Sequence, residues 1–336
     1  MQLSDQEAAA LRESLLRMHL IEPGEQPVLT LLTGGVSSLI VRADTARGAV
    51  CIKQALAQLR VTALWFAPVR RNRAEVAWMQ EAQRICPSAV PALLGDDPAG
   101  NAFAMVFLAP EDYPNWKAQM RDGRVDVSAA RAVAECLVTI HAATADRADL
   151  AARFANQADF HALRLAPYFE AAAERHPDCA GPLRALVETT AATRRALMHG
   201  DVSPKNILLG PQGPVLLDAE CACYGDPAFD LAFCLTHLLL KSVWKPDLRQ
   251  ACLACFDAAA EVYLSAAGWE PSADIERRAT FLLAGLLLAR IDGKSPVEYL
   301  VDTPAASTVR RFAKQLLHAP VDRLSTLRHQ WNAQIE

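Results

Sequence analysis

A chain of 336 residues, 52% apolar and 21% charged, is long enough to bury a large core and has the composition of an ordinary folded protein, which excludes a disordered chain. Its net charge of −4, from 34 basic and 38 acidic residues with no long basic run, excludes nucleic acid as the expected partner. An odd count of nine cysteines and a start without the basic flank or apolar run of an export signal point to the cytoplasm, and the apolar run at 281–288 is too short to span a membrane.

Ser4 and Glu7 form a capping-box pattern that predicts a helix to about His19, stopped by Pro23 and Gly24. Short strands are expected over 29–32, 39–43 and 49–54, a helix over 72–84, and two further strands over 90–94 and 103–108. Composition then changes. Residues 128–141, 182–197, 229–240, 248–267, 274–291 and 307–317 read as Ala/Leu-rich helices, interrupted by a hairpin around 207–218. The expected organisation is a nucleotide-binding lobe over 1–108 and a helical catalytic and substrate-binding lobe over 109–336. Cys252 and Cys255 have the spacing of half a zinc site, but they fall in a helical apolar pattern and read as small buried hydrophobes.

The chemistry concentrates in His199-Gly200-Asp201-Val202-Ser203-Pro204-Lys205-Asn206 and in the apolar run that ends at Asp218. Moving a terminal phosphate to a hydroxyl requires a proton acceptor, neutralisation of the triphosphate charge and in-line positioning. Asp201 suits the first task. Asp218 is a candidate for direct metal ligation, and Asn206 offers a neutral oxygen that adds no charge to a crowded carboxylate pair; hard oxygen ligands favour Mg2+. Between the first strands, Gly34, Gly35 and Ser37 can turn backbone N–H groups toward phosphates. Lys53 emerges from an apolar strand, where either a functional ammonium or a snorkelling edge lysine is possible.

These motifs resemble the catalytic segment of the aminoglycoside phosphotransferase and choline kinase-like superfamily, relatives of the protein kinases. The resemblance implies an α+β, bilobal protein-kinase-like fold, with a small antiparallel-sheet lobe and a larger mostly helical lobe. It implies Asp201 as base or hydroxyl-orienting group, and Asn206 and Asp218 as magnesium ligands with Glu220 as a secondary one. By the same resemblance Lys53 contacts the α- and β-phosphates of ATP and Glu75 is its ion-pair partner, with Glu81 the alternative one turn or so away. His199 and Asp230 are expected to support the loop. No Asp-Phe-Gly or Ala-Pro-Glu signature occurs, which disfavours a protein substrate. A short run, Lys53-Gln54-Ala55-Leu56, also resembles bacterial methylthioribose kinase.

For the acceptor side, Asp226, Arg290, Asp292 and Lys294 are candidate substrate contacts, each weighed against a role in a turn or helix cap, and Trp65, Trp116 and Trp244 are candidate stacking residues. The expected function is an ATP- and Mg2+-dependent phosphotransferase acting on a hydroxyl of a small metabolite such as a sugar, polyol, amino alcohol or nucleoside-derived compound. The alternatives are an aminoglycoside phosphotransferase and a non-catalytic kinase-like nucleotide-binding protein. A monomer or homodimer is expected.

Overall fold

The computed structural model describes residues 3–32, 38–56 and 68–335. Gly34, Gly35, Ser37 and Trp65 lie outside the described residues. Ser4 caps α1 (Asp5–Arg17) through the reciprocal Ser4–Glu7 box. A five-stranded antiparallel sheet follows: β1 (Val28–Leu31), β2 (Ser38–Thr45), β3 (Gly48–Ala55), β4 (Leu93–Asp97) and β5 (Ala102–Val106), in the order β1-β2-β3-β5-β4. α2 (Arg71–Ile85) is inserted between β3 and β4.

The two-residue period of the strands divides this sheet into two differently used faces. Leu39, Val41 and Ala43 of β2 and Val50 and Ile52 of β3 turn toward Leu11 and Leu15 of α1 and build a small core. Cys51 turns to the opposite face, where Phe103, Met105 and, from α2, Val76 and Met79 belong to the main core. Lys53 shares that face by its register, paired with Ile40 and Phe103 on the flanking strands. It is therefore in a central strand and 2% exposed, not at an edge.

The larger region is helical: α3 (Trp116–Arg121), α4 (Val127–Thr144), α5 (Ala148–Arg153), α6 (Gln157–Phe160), a π-helical stretch His161–Glu170, α7 (Ala171–Arg175), α8 (Ala180–Ala192), α9 (Pro227–Trp244), α10 (Arg249–Ala266), α11 (Ser272–Asp292), α12 (Pro304–His318) and α13 (Leu324–Ile335). α9 is buried from Pro227 to Ser242 and packs between α10 and α11. Cys252 and Cys255 are buried in α10 as apolar filler.

Two small hairpin-like pairs interrupt the helices. β6 (Ala196–Met198) pairs with β9 (Cys223–Gly225), and β7 (Ile207–Gly210) pairs with β8 (Gly213–Leu216). The helix expected over 182–197 ends at Ala192 because Ala196, Leu197 and Met198 are taken by pairing with Gly225, Tyr224 and Cys223. That competition comes from residues far along the chain, and no local periodicity reports it.

Candidate active site

β6 leads into the loop that carries Asp201, and the turn is possible only with glycine at 200. Gly200 has φ +80°, and a Cβ there would lie 2.8 Å from both the Cβ and the carbonyl oxygen of Cys221. Gly200→Ala should destabilise the fold by about 1–3 kcal/mol, measured as a lower denaturant midpoint; an unchanged midpoint would remove this constraint.

The loop is held from beneath by Asp230, which is fully buried on α9. Its two oxygens accept from the amides of His199 (2.7 Å) and Gly200 (2.8 Å), and His141 lies 3.3 Å away with its other ring nitrogen 2.7 Å from the Tyr263 hydroxyl. Burial works against this carboxylate, but His141, His199 and the His199 amide together hold its pKa below the usual range. Burial likewise lowers the pKa of His199. The neutral ring accepts from the Asp201 amide (3.1 Å) through Nδ1 and donates from Nε2 to the Leu217 carbonyl (3.1 Å), tying the loop to the strand that precedes Asp218.

Asp201 has one carboxylate oxygen 2.9 Å from the Arg164 guanidinium and 3.4 Å from the Lys205 ammonium. Arg164 also donates to the Gly200 carbonyl at 2.7 Å, so one buried arginine fixes both the backbone and the side chain of the loop. The sequence reading did not find Arg164. It sits in the π-helical stretch, 36 positions from Gly200, and only an arginine inside an apolar helical run hinted at it.

Lys53 donates to both oxygens of Glu75 (2.8 and 2.7 Å) and to Asp218 (2.5 Å), so its ammonium bridges the sheet lobe, α2 and the β8 exit. Burial disfavours its charge, yet Asp218 and Glu75 raise its pKa. Burial also pushes the Glu75 carboxyl up to about 7 against the pull of Lys53, whereas Lys53 and then Lys205 hold Asp218 low despite burial. Glu81 instead pairs with Arg84 and Arg153. Asp218 has φ +69°, a conformation rarely adopted by a side-chain-bearing residue, and its side chain remains 24% exposed.

Asn206 donates its side-chain amide nitrogen to the Asp201 carbonyl at 3.1 Å. Its amide oxygen and the Asp218 carboxylate are hard donors of the type that Mg2+ takes. The Glu220 carboxylate forms a 2.9 Å ion pair with the buried Arg71.

Two of the four candidate substrate contacts are engaged in ion pairs within the protein. Asp226 is 1% exposed, caps α9 at Ala228 (3.0 Å) and takes Arg278 on both oxygens (2.9 and 3.1 Å). Asp292 is clamped by Arg310 (2.6 and 2.8 Å) and His176 (2.8 Å). Both acids sit at helix ends and hold helices together. Lys294 is exposed, with its backbone amide on the Pro167 carbonyl (2.9 Å). Arg290 is buried and donates to the hydroxyl of Tyr168 at 3.1 Å. Trp116 is core, whereas Trp244 is half-buried against Tyr299 with ring centroids 4.5 Å apart. Two surface hollows lie elsewhere, one bounded by Phe256, Glu261 and Arg328 and one by Ala8, Arg12 and Thr30.

A lysine held by an α2 glutamate beneath an antiparallel sheet, facing a loop aspartate, an asparagine and a second aspartate on a hairpin, defines a kinase-like phosphotransferase fold. The chain belongs to the phosphotransferase enzyme family, whose model matches residues 28–275. Solved structures agree in fold: an ethanolamine kinase from Plasmodium vivax (12% identity, 94% of this chain and 91% of that one, TM-score 0.58), an aminoglycoside phosphotransferase from Alicyclobacillus acidocaldarius (16%, 99% and 98%, 0.52), and a choline kinase from Streptococcus pneumoniae (16%, 94% and 100%, 0.51). No curated protein matches the sequence significantly. Among the described residues no helix is long and apolar enough to cross a membrane.

Proposed function

We propose that the protein transfers the γ-phosphate of ATP to a hydroxyl of a small metabolite, with Mg2+ held by Asn206 and Asp218. The observation that carries this reading is the Lys53 ammonium bridging Glu75 and Asp218 in the cleft that also presents Asp201. When bound, the cation offsets the negative charge of the phosphates. Lys53, preset by Glu75, receives the α- and β-phosphates. Asp201, paired with Arg164 and Lys205, orients the acceptor hydroxyl and takes its proton. The acceptor oxygen forms the new bond to the γ-phosphorus as the bond to the bridging oxygen breaks, and ADP leaves. His199 takes no proton in this scheme, because both ring nitrogens are engaged in holding the loop.

The test is a coupled ADP-release screen over sugars, polyols, amino alcohols, hydroxy acids and aminoglycosides, followed by mapping of the phosphorylated position. Nucleotide binding without turnover across the panel would favour a binding protein instead. The metal assignment has its own check. Asp218→Ala should raise the Mg2+ concentration needed for half-maximal turnover more than Asn206→Ala does, because the aspartate supplies a full charge and the asparagine only a dipole. An unchanged Mg2+ requirement in the Asp218 variant would sink that assignment.

A further inference from the structure

Phe233, His237 and Lys241 recur every four residues on α9 and so lie along one face of that helix. At one end, Phe233 lies 5.8 Å from the guanidinium of Arg164, the residue that holds Asp201. At the other, the Lys241 ammonium lies 3.7 Å from the centre of the Tyr299 ring and 4.6 Å from that of Trp244. Arg290 of α11 stacks over Tyr168 at 5.6 Å, and Tyr168 in turn packs on Phe233 with centroids 5.9 Å apart. A cationic wall thus runs from the catalytic loop to the end of α9.

Two of these cations, Lys241 and Arg290, have no acidic partner among the described residues. Lys205 and Arg164 share Asp201, and Lys117 pairs with the exposed Glu298. Arg290 has only neutral acceptors, the Tyr168 hydroxyl and Ser295. Lys241 has ring faces and no hydrogen-bond acceptor among the described residues. Lys241, His237 and Arg290 are 1%, 5% and 7% exposed. The His237 Nε2, the Arg290 Nε and the Tyr299 hydroxyl are buried there without a hydrogen-bond partner among the described residues. Buried cations and orphaned donors are costly unless something completes them. In a chain of net charge −4 the excess is local and not a general feature of the protein.

We propose that this wall is the acceptor site for an anion: a small hydroxyl compound bearing a carboxylate or phosphate, gripped by Lys241, Arg290 and His237, with its hydroxyl presented to Asp201. The inference rests on the phosphotransfer reading of Asp201 and names the substrate class for it. The hydroxyl oxygen bonds to the γ-phosphorus, its proton passes to Asp201, and ADP departs. A polycationic aminoglycoside or a quaternary amine would meet like charge along this wall. The burial that holds His237 well below its usual range, reinforced by Arg290, Lys241, Lys205 and Lys117, keeps the ring neutral, so it can share a hydrogen bond without adding charge.

Calorimetry in saturating Mg2+ and a non-hydrolysable ATP analogue tests this with four matched probes: glycerol, D-glycerate, glycerol 3-phosphate and choline. At least one anion should bind about tenfold or more tightly than glycerol, and Lys241→Met should remove that advantage, while Lys241→Arg retains most of it. Comparing the two anions tells carboxylate from phosphate. Burial, and then Lys117, hold the Lys241 pKa down to about 7, with Arg290 of α11, Glu298 and Tyr299 after it, Cys252 of α10 and His237 of its own helix as the other facing groups. Anion affinity should therefore weaken as pH rises through that value and the ammonium loses its charge. Anions binding no tighter than glycerol, choline binding best, or an anion affinity indifferent to Lys241→Met would each overturn the proposal. Analogue binding measured on the same proteins reports their folding. If that binding is indifferent to Lys53→Met, the phosphotransfer reading fails, separately from the acceptor class.

Discussion

Asp201→Asn should lower kcat by at least ~100-fold while leaving affinity for a non-hydrolysable ATP analogue within a few-fold of the parent. The carboxylate is held by Arg164 at 2.9 Å and Lys205 at 3.4 Å, so it is fixed in place before any acceptor arrives. Asparagine preserves the size and the backbone hydrogen bonds of the loop, including the amide bond to His199. It cannot accept the hydroxyl proton, although its carbonyl oxygen can still take the place of the Oδ2 that meets both cations. The loss therefore falls on the transition state and not on nucleotide binding. Rapid-quench measurement of a single turnover separates the chemical step from product release, and turnover within a few-fold of the parent would remove Asp201 from the reaction.

Lys53→Met should cost about 100-fold or more in kcat/KM, with the nucleotide KM rising, because the variant loses a charge-assisted phosphate contact in a buried setting. Two further effects act in the same direction. Glu75 and Asp218 lose the cation that lies between them, and Glu75, already pushed by burial to about 7, becomes protonated at neutral pH. Glu75→Gln should cost about 10-fold, since the glutamate only positions the ammonium, which keeps its contact with Asp218. The double variant should lose less free energy than the sum of the single losses, because removing either partner already breaks the pair. Strict additivity would argue against a functional pair. Thermal unfolding of each protein shows whether the change lies in the site or in the fold.

What could be read before the structure was the part encoded locally. The capping box at Ser4, the two-residue period of β2 and β3, the hairpin of β7 and β8 and the strand position of Lys53 all depend on neighbours a few positions away. The spacing of His199, Gly200, Asp201, Asn206 and Asp218 is likewise a property of one loop and one hairpin, and it carried the class of chemistry.

The pairing of charges was decided only by tertiary structure. Asp226 and Asp292 look available in the sequence because they flank helix ends, but Arg278 comes to the first from 52 positions away and Arg310 to the second from 18. Glu220 is claimed by Arg71 across 149 positions, and Arg164 reaches the catalytic loop from a π-helical stretch with no motif of its own. Lys241 reads as one charge interrupting an apolar helix; only its packing against Tyr299 and Trp244 leaves it buried without an acceptor among the described residues. The physical reason is that periodicity and turn chemistry act over a few residues, whereas an ion pair depends on distance and burial, which the chain acquires only when remote segments meet.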